Sequence, residues 1–343
     1  MIETSFHNRR AARIENDSVR VTATFVGGHV AQILDKASGV SPLWIPPWPS
    51  IEPTGYSRER YPEYGGDSES ALLSGIMGHN LCLDLFGGPS EEEAAAGMIV
   101  HGEANVVPYD ISASGAGMTA RCAMPIAQIA FERGIHLAGR RVQFRETVEN
   151  LSPLDRPIAW TQHVTLGPPF LERGITQFRV PAVKSRGVAD GSDFDWPWLP
   201  KPGGGKEDLR VYTSAQSSAG FTTHLLGAEN GKAYFLAYSP ASKVLFGYVW
   251  SRDDFPWLGI WEENHSRTHA PWNGRALTRG MEFGVSPFPE SRRQMIQRRD
   301  LFGAPGYRWL PAKSKLTVDY YAAIAQADAI PETLAEFEAL AAA

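Results

Sequence analysis

Three titratable residues stand out by their settings. His101 lies in Met98-Ile99-Val100-His101-Gly102-Glu103, and His163 in Trp160-Thr161-Gln162-His163-Val164-Thr165-Leu166-Gly167. Glu282 lies in Arg279-Gly280-Met281-Glu282-Phe283-Gly284, ahead of Pro287-Phe288-Pro289. A carboxylate and a histidine can serve as general base and general acid, because their pKa values fall on either side of neutrality and burial tunes both. Such a pair removes a proton from one oxygen and delivers one to another, and needs no metal or cofactor. Each residue also has a purely structural reading. His163 could be a core histidine bonded to a carbonyl, Glu282 the ion-pair partner of Arg279, and His101 the cap of its loop.

Other chemistries find less support. Ser114-Gly115-Ala116-Gly117 is glycine-rich, but no helical pattern follows it, which excludes a dinucleotide fingerprint. There is no Walker A sequence, no HExxH and no G-x-S-x-G elbow. His101-Gly102-Glu103 matches half of a zinc deaminase motif, and the P-C-x-x-C half is missing. His265 and His269 are four apart, a metal spacing only on a helix, and Pro271 argues for a loop. A glycoside hydrolase needs two carboxylates flanking one bond, and Glu282 with Glu262 or Glu263 is the pair to nominate.

The elements that must position these groups read as strands. Residues 19–26 and 29–34 flank Gly27-Gly28 and predict a hairpin. Residues 126–137 and 141–150 form two long runs. In the second, Val142, Phe144 and Val148 fall on one face while Arg141, Gln143, Arg145, Thr147 and Glu149 fall on the other. Further strands are expected over 158–166, 220–226, 233–238, 244–250, 259–263, 281–285 and 315–321. Helix is scarce. Ser90 and Glu93 predict a short capped helix ending at Gly97, and the tail predicts another with Pro331 in its first turn. No linker or repeat divides residues 1–343, so one large antiparallel β domain is expected.

Three stretches carry many aromatic residues among turn formers: 39–66 with Trp44, Trp48, Tyr56, Tyr61 and Tyr64, 193–205 with Phe194, Trp196 and Trp198, and 250–272 with Trp257 and Trp261. Aromatic faces stack on the C–H faces of a pyranose, so these loops could wall a sugar pocket, or they could close the ends of a sandwich as small cores.

Composition narrows the class. Hydrophobic residues make up 43% and charged residues 21%, as in an ordinary folded protein. The net charge of -5, without a basic run, argues against nucleic acid and against an anionic membrane surface. No apolar run approaches the roughly 18 residues of a membrane span. Cys82 and Cys122 suit reduced, buried thiols. Without a signal-peptide pattern at Met1-Ile2-Glu3-Thr4-Ser5-Phe6-His7, the expected compartment is the cytoplasm.

The order of His101-Gly102, then His163 after Val148-Glu149-Asn150-Leu151-Ser152, then Glu282 after Gly280, resembles the aldose 1-epimerases of the galactose mutarotase superfamily. The resemblance runs over about residues 20 to 325 as scattered anchors, and it implies a β-sandwich of the supersandwich type. It also implies interconversion of the α and β anomers of a monosaccharide, without a cofactor or metal, with His163 as acid, Glu282 as base and His101 touching the sugar. The family's early Asn-Arg pair has no clear match; His79 and Asn80 are nearest by position. For its sugar-binding aspartate, Glu262, Glu263 or Asp254 could substitute, and Trp261 and Arg279 are further candidates for substrate contact. Acid and base on rigid strands are expected to flank the sugar ring from opposite sides. A non-catalytic carbohydrate-binding protein on the same fold is the alternative, and a polysaccharide lyase or glycosidase relative is a third. The expected partner is a monosaccharide or short glycan.

Overall fold

The computed structural model describes residues 2–189 and 191–342, and of Ser114 the backbone alone. Two antiparallel sheets pack face to face. The larger has twelve strands, and its central run is Val30–Asp35, His79–Asp84, Arg156–Leu166, Leu277–Gly284, Trp257–Asn264 and Ser218–Leu226, side by side in that order. The smaller has eight, among them the consecutive neighbours Lys232–Ser239, Val244–Ser251, Lys315–Gln326, Arg141–Asn150, Ile129–Ala138, Gly117–Met124 and Asp110–Ser114. The all-β sandwich expected from the sequence is the architecture observed.

Alternation builds the layers. Val142, Phe144 and Val148 point into the core, Gln143 and Arg145 point out, and the strand spans Arg141–Asn150. The first hairpin joins Val19–Thr24 to Val30–Asp35 around Gly27 and Gly28, whose φ values of 76° and 57° favour glycine. The chain also needs Gly28 for space, because a Cβ there would lie 2.6 Å from the Tyr109 ring. The short helix Glu91–Ala95 carries the Ser90–Glu93 capping box. The tail helix begins later than expected: Thr333 and Glu336 form its capping box over Leu334–Leu340, so Pro331 precedes the helix. A third capped helix, Arg292–Arg298 with Ser291 and Gln294, was not expected.

A buried polar layer joins the two sheets. Glu146 accepts from Arg133 at 2.6 Å, Gln162 at 2.6 Å, Tyr320 at 2.7 Å and the Trp160 indole at 3.2 Å. His79 belongs to this layer. Its Nε2–H donates to Gln162 Oε1 at 2.8 Å, and the Tyr248 hydroxyl donates to its Nδ1 at 2.9 Å. The imidazole is thus neutral, and burial holds its pKa well below the ordinary histidine value.

Burial also holds the pKa of His29 and of His224 at about 3. A histidine neutral in the fold gains a proton on unfolding below about pH 6.5, so stability falls as pH drops from there toward the folded value. Each such residue contributes about 1.4 kcal/mol per pH unit in that window, and His29 and His224 together about 3. Urea denaturation should therefore show a stability loss of this order between pH 6 and pH 5. A midpoint that does not move over that interval would contradict the neutral assignment.

Candidate functional site

The cross-strand register makes the site. His163 lies directly opposite Asn80 on one neighbouring strand and Glu282 on the other. Residues directly opposite share a face. Val164 and Trp160 point into the core between the sheets, so Asn80, His163 and Glu282 form a row on the outer face of the larger sheet.

His163 Nε2 is 3.0 Å from Glu282 Oε1, and Nδ1 is 3.0 Å from the Thr165 hydroxyl. The first contact is off the line of a hydrogen bond, for Oε1 has no hydrogen-bond partner. Only 4% of His163 and 2% of Glu282 is exposed. Burial raises the Glu282 pKa well above the usual carboxylate value and, with His101 adding to the effect, lowers that of His163 well below the usual histidine value. Burial thus favours the uncharged form of both groups, a protonated carboxyl and an imidazole with one N–H. Asn80 is fully buried, and neither its amide nitrogen nor its oxygen has a partner; the Thr161 hydroxyl on the same face also has none. Polar atoms left this way cost about 1–3 kcal/mol each. Hydroxyl-rich ligands satisfy such atoms.

Three half-exposed side chains stand around the buried pair. His101, at φ 65°, donates its Nδ1–H to the Phe86 carbonyl, which leaves Nε2 as an acceptor. Its ring centroid is 5.2 Å from that of His163. Burial, with a smaller contribution from Arg267, lowers its pKa to about 4. Trp261 lies 5.9 Å from His163, ring to ring, and is backed by Trp272 at 6.1 Å. Trp272 packs in turn on Trp48 and Trp44, so the aromatic stretch 39–66 is a small core that braces Trp261. Phe221 faces Trp261 across the strand pair, and Gly259 gives its ring room, since a Cβ there would lie 2.5 Å from it. Phe221 gave no sequence signal of its own.

Gly280 has a comparable role. A Cβ at this position would lie 2.4 Å from Glu282 Oε1 and 3.2 Å from Trp261 Cβ. Gly280→Ala should displace the carboxylate with little loss of stability. A misplacement of about 1 Å can cost roughly 10²-fold in rate, so turnover assayed beside thermal unfolding should fall by that order with the midpoint nearly constant. Unchanged turnover would show that the carboxylate position does not matter.

Several expected contacts lie elsewhere. His79 faces the core, one residue out of phase with Asn80. Arg279 is three residues from Glu282 and Glu262 follows Trp261, so alternation turns both to the opposite face. There Arg279 bonds Glu262 at 2.9 Å and the Leu209 carbonyl at 2.9 Å, packed on Phe178 and Tyr212. Glu263 holds the next loop through Ser266 and the Arg267 backbone, and Asp254 pairs with Arg308. Neither Glu262 nor Glu263 forms a carboxylate pair with Glu282. The stretch 193–205 packs Phe194 and Trp196 around His224, away from the row. A cation missed in the sequence stands by the site: Arg267 lies over Trp272 at 4.6 Å and Trp261 at 5.7 Å and reaches Glu69.

No helix among the described residues is long and apolar enough to cross a membrane. No protein-family model matches the sequence, and no curated protein matches it. Solved structures do match in fold. A candidate aldose 1-epimerase of Klebsiella pneumoniae superposes with a TM-score of 0.69 at 13% identity, over 93% of this chain and 80% of that one. A galactose mutarotase-like protein of Clostridium acetobutylicum gives 0.61 at 13% identity, over 95% and 98%. One from Lactobacillus casei gives 0.59 at 15% identity, over 92% and 99%. The outer-face row of Asn80, His163 and Glu282 is therefore carried on the galactose mutarotase-like fold.

Proposed function

We propose that this chain is a sugar isomerase of the aldose 1-epimerase kind, exchanging the α and β anomers of a monosaccharide. The observation that supports this best is the buried carboxyl oxygen of Glu282, unbonded and 3.0 Å from His163 Nε2. Acid and base stand side by side on one face, in place of the opposite sides expected from the sequence. That arrangement suits the reaction, because the anomeric hydroxyl and the ring oxygen are both bonded to C1.

The proton inventory closes. The reactive form has Glu282 as carboxylate and His163 as imidazolium. Glu282 takes the anomeric proton, the O1 electron pair forms the C1 carbonyl, the bond from C1 to the ring oxygen breaks, and His163 protonates that oxygen. The pair is now uncharged, the state burial favours, so the open-chain intermediate meets a neutral site. Rotation about C1–C2 and the reverse transfers close the other anomer. Asn80 and His101 Nε2 offer hydrogen bonds to sugar hydroxyls, and Trp261 and Phe221 offer flat apolar walls.

Proton NMR of anomer exchange tests the proposal on aldohexoses and aldopentoses, each free and 6-phosphorylated. Exchange above the buffer blank for at least one sugar supports it. Chemical-shift evidence of binding with no acceleration for any sugar would replace it with the carbohydrate-binding alternative.

A further inference from the structure

The outer face of the smaller sheet carries a second feature, on the far side of the sandwich from the row. The helix Leu334–Leu340 covers part of this face, seating Leu334 and Phe337 on Tyr234, Leu236 and Leu245. Beside the helix the face stays open as a groove of about 870 Å³. Its lining comes from seven neighbouring strands, from Lys232–Ser239 at one end to Asp110–Ser114 at the other. At about 4.8 Å per strand spacing, the groove is roughly 29 Å long. That is long for one pyranose, and the volume is near the top of the roughly 300–1,000 Å³ range of small-molecule sites.

The groove's charges are already matched. Arg145 holds both carboxylate oxygens of Asp319, at 2.9 and 3.0 Å. Lys232 and the Tyr321 hydroxyl both bond Glu338 at 2.7 Å. With each cation paired to an anion, the face offers no unmatched charge to attract an anionic or a cationic partner. An apolar partner would desolvate Arg145 and Asp319 without return. A neutral chain rich in hydroxyls can donate to the acceptors and accept from the donors of the same pairs, with Gln143 on the strand of Arg145 and Thr119 two strands farther along the groove.

We propose that this groove binds a neutral oligosaccharide of several residues, at a site separate from that of His163 and Glu282. The proposal holds whether or not that pair isomerises a sugar. Gly134 supplies the test, because it lies in the groove floor and a Cβ there meets nothing nearer than the Arg145 carbonyl oxygen at 3.7 Å. Gly134→Tyr should fold, with a good strand former on an open face, and fill the groove. Titration calorimetry of the full chain with maltohexaose, cellohexaose, xylohexaose and chitohexaose compares wild type, Gly134→Tyr, Gln143→Ala and Glu282→Gln. At least one hexaose should bind wild type and Glu282→Gln alike, and bind Gly134→Tyr at least tenfold more weakly, with Gln143→Ala intermediate. Binding of none of the four, binding that survives both groove variants, or binding lost in Glu282→Gln overturns the proposal. A wild-type dimer that Gly134→Tyr dissociates, read by light scattering, also overturns it, because a second copy would then cover the groove.

Discussion

Glu282→Gln should lower the rate of anomer exchange by about 10²–10⁴-fold, the range that positioned general acids and bases supply, while the protein unfolds at an unchanged or higher temperature. Both halves follow from burial. Taking the carboxyl out of water raises its pKa well above the usual value and so favours its neutral form. An amide of the same shape therefore replaces a neutral group and adds no unpaired charge. What it removes is the acceptor for the anomeric proton, and with it the transfer to His163 3.0 Å away. A variant that loses activity because it is unfolded would have a lower midpoint, so measuring both separates chemistry from stability. Activity retained within threefold would mean that another group takes the proton.

The second large effect concerns stability. Arg133→Met should cost about 3–5 kcal/mol in urea denaturation, the usual penalty for breaking a buried ion pair from one side. Arg133 is 2% exposed and Glu146 is fully buried, so solvent screens neither. Glu146 would keep its bonds from Gln162, Tyr320 and Trp160 but lose the one cation that balances it. The double variant Arg133→Met with Glu146→Leu should recover much of the loss, since an apolar pair of similar volume often replaces a buried ion pair at little cost. A loss below about 1 kcal/mol for Arg133→Met alone would show that Glu146 takes up a proton or water reaches it.

Much of this architecture was legible, for a physical reason. Strands with one wet face write their alternation into the sequence, and Arg141–Asn150 was placed to the residue. The first hairpin was visible through Gly27-Gly28, and Ser90 with Glu93 marked a helix start. His79–Asp84 is buried along its whole length and so shows no alternation, and it escaped notice. That omission explains the error at His79: without knowing the strand, one cannot know that His79 and Asn80 face opposite ways. Arg279 and Glu262 failed on the same ground. Glu262 is one residue from Trp261 and Arg279 three from Glu282, odd steps that a period of two carries to the other face. Arg267 and Phe221 were unreadable because their places depend on loop packing and on the room left by Gly259. The groove was hidden as well. Its polar residues come from seven strands, and in each strand they look like an ordinary solvated face.

The most direct test of the central claim is polarimetry of freshly dissolved α-glucose and α-galactose, with wild-type protein beside Glu282→Gln. Faster equilibration with wild type, returning to the buffer rate in the variant, is the predicted result. Equal acceleration by both proteins would contradict the assignment of Glu282 as the base. No acceleration by wild type would contradict isomerisation of these two sugars by the His163–Glu282 pair.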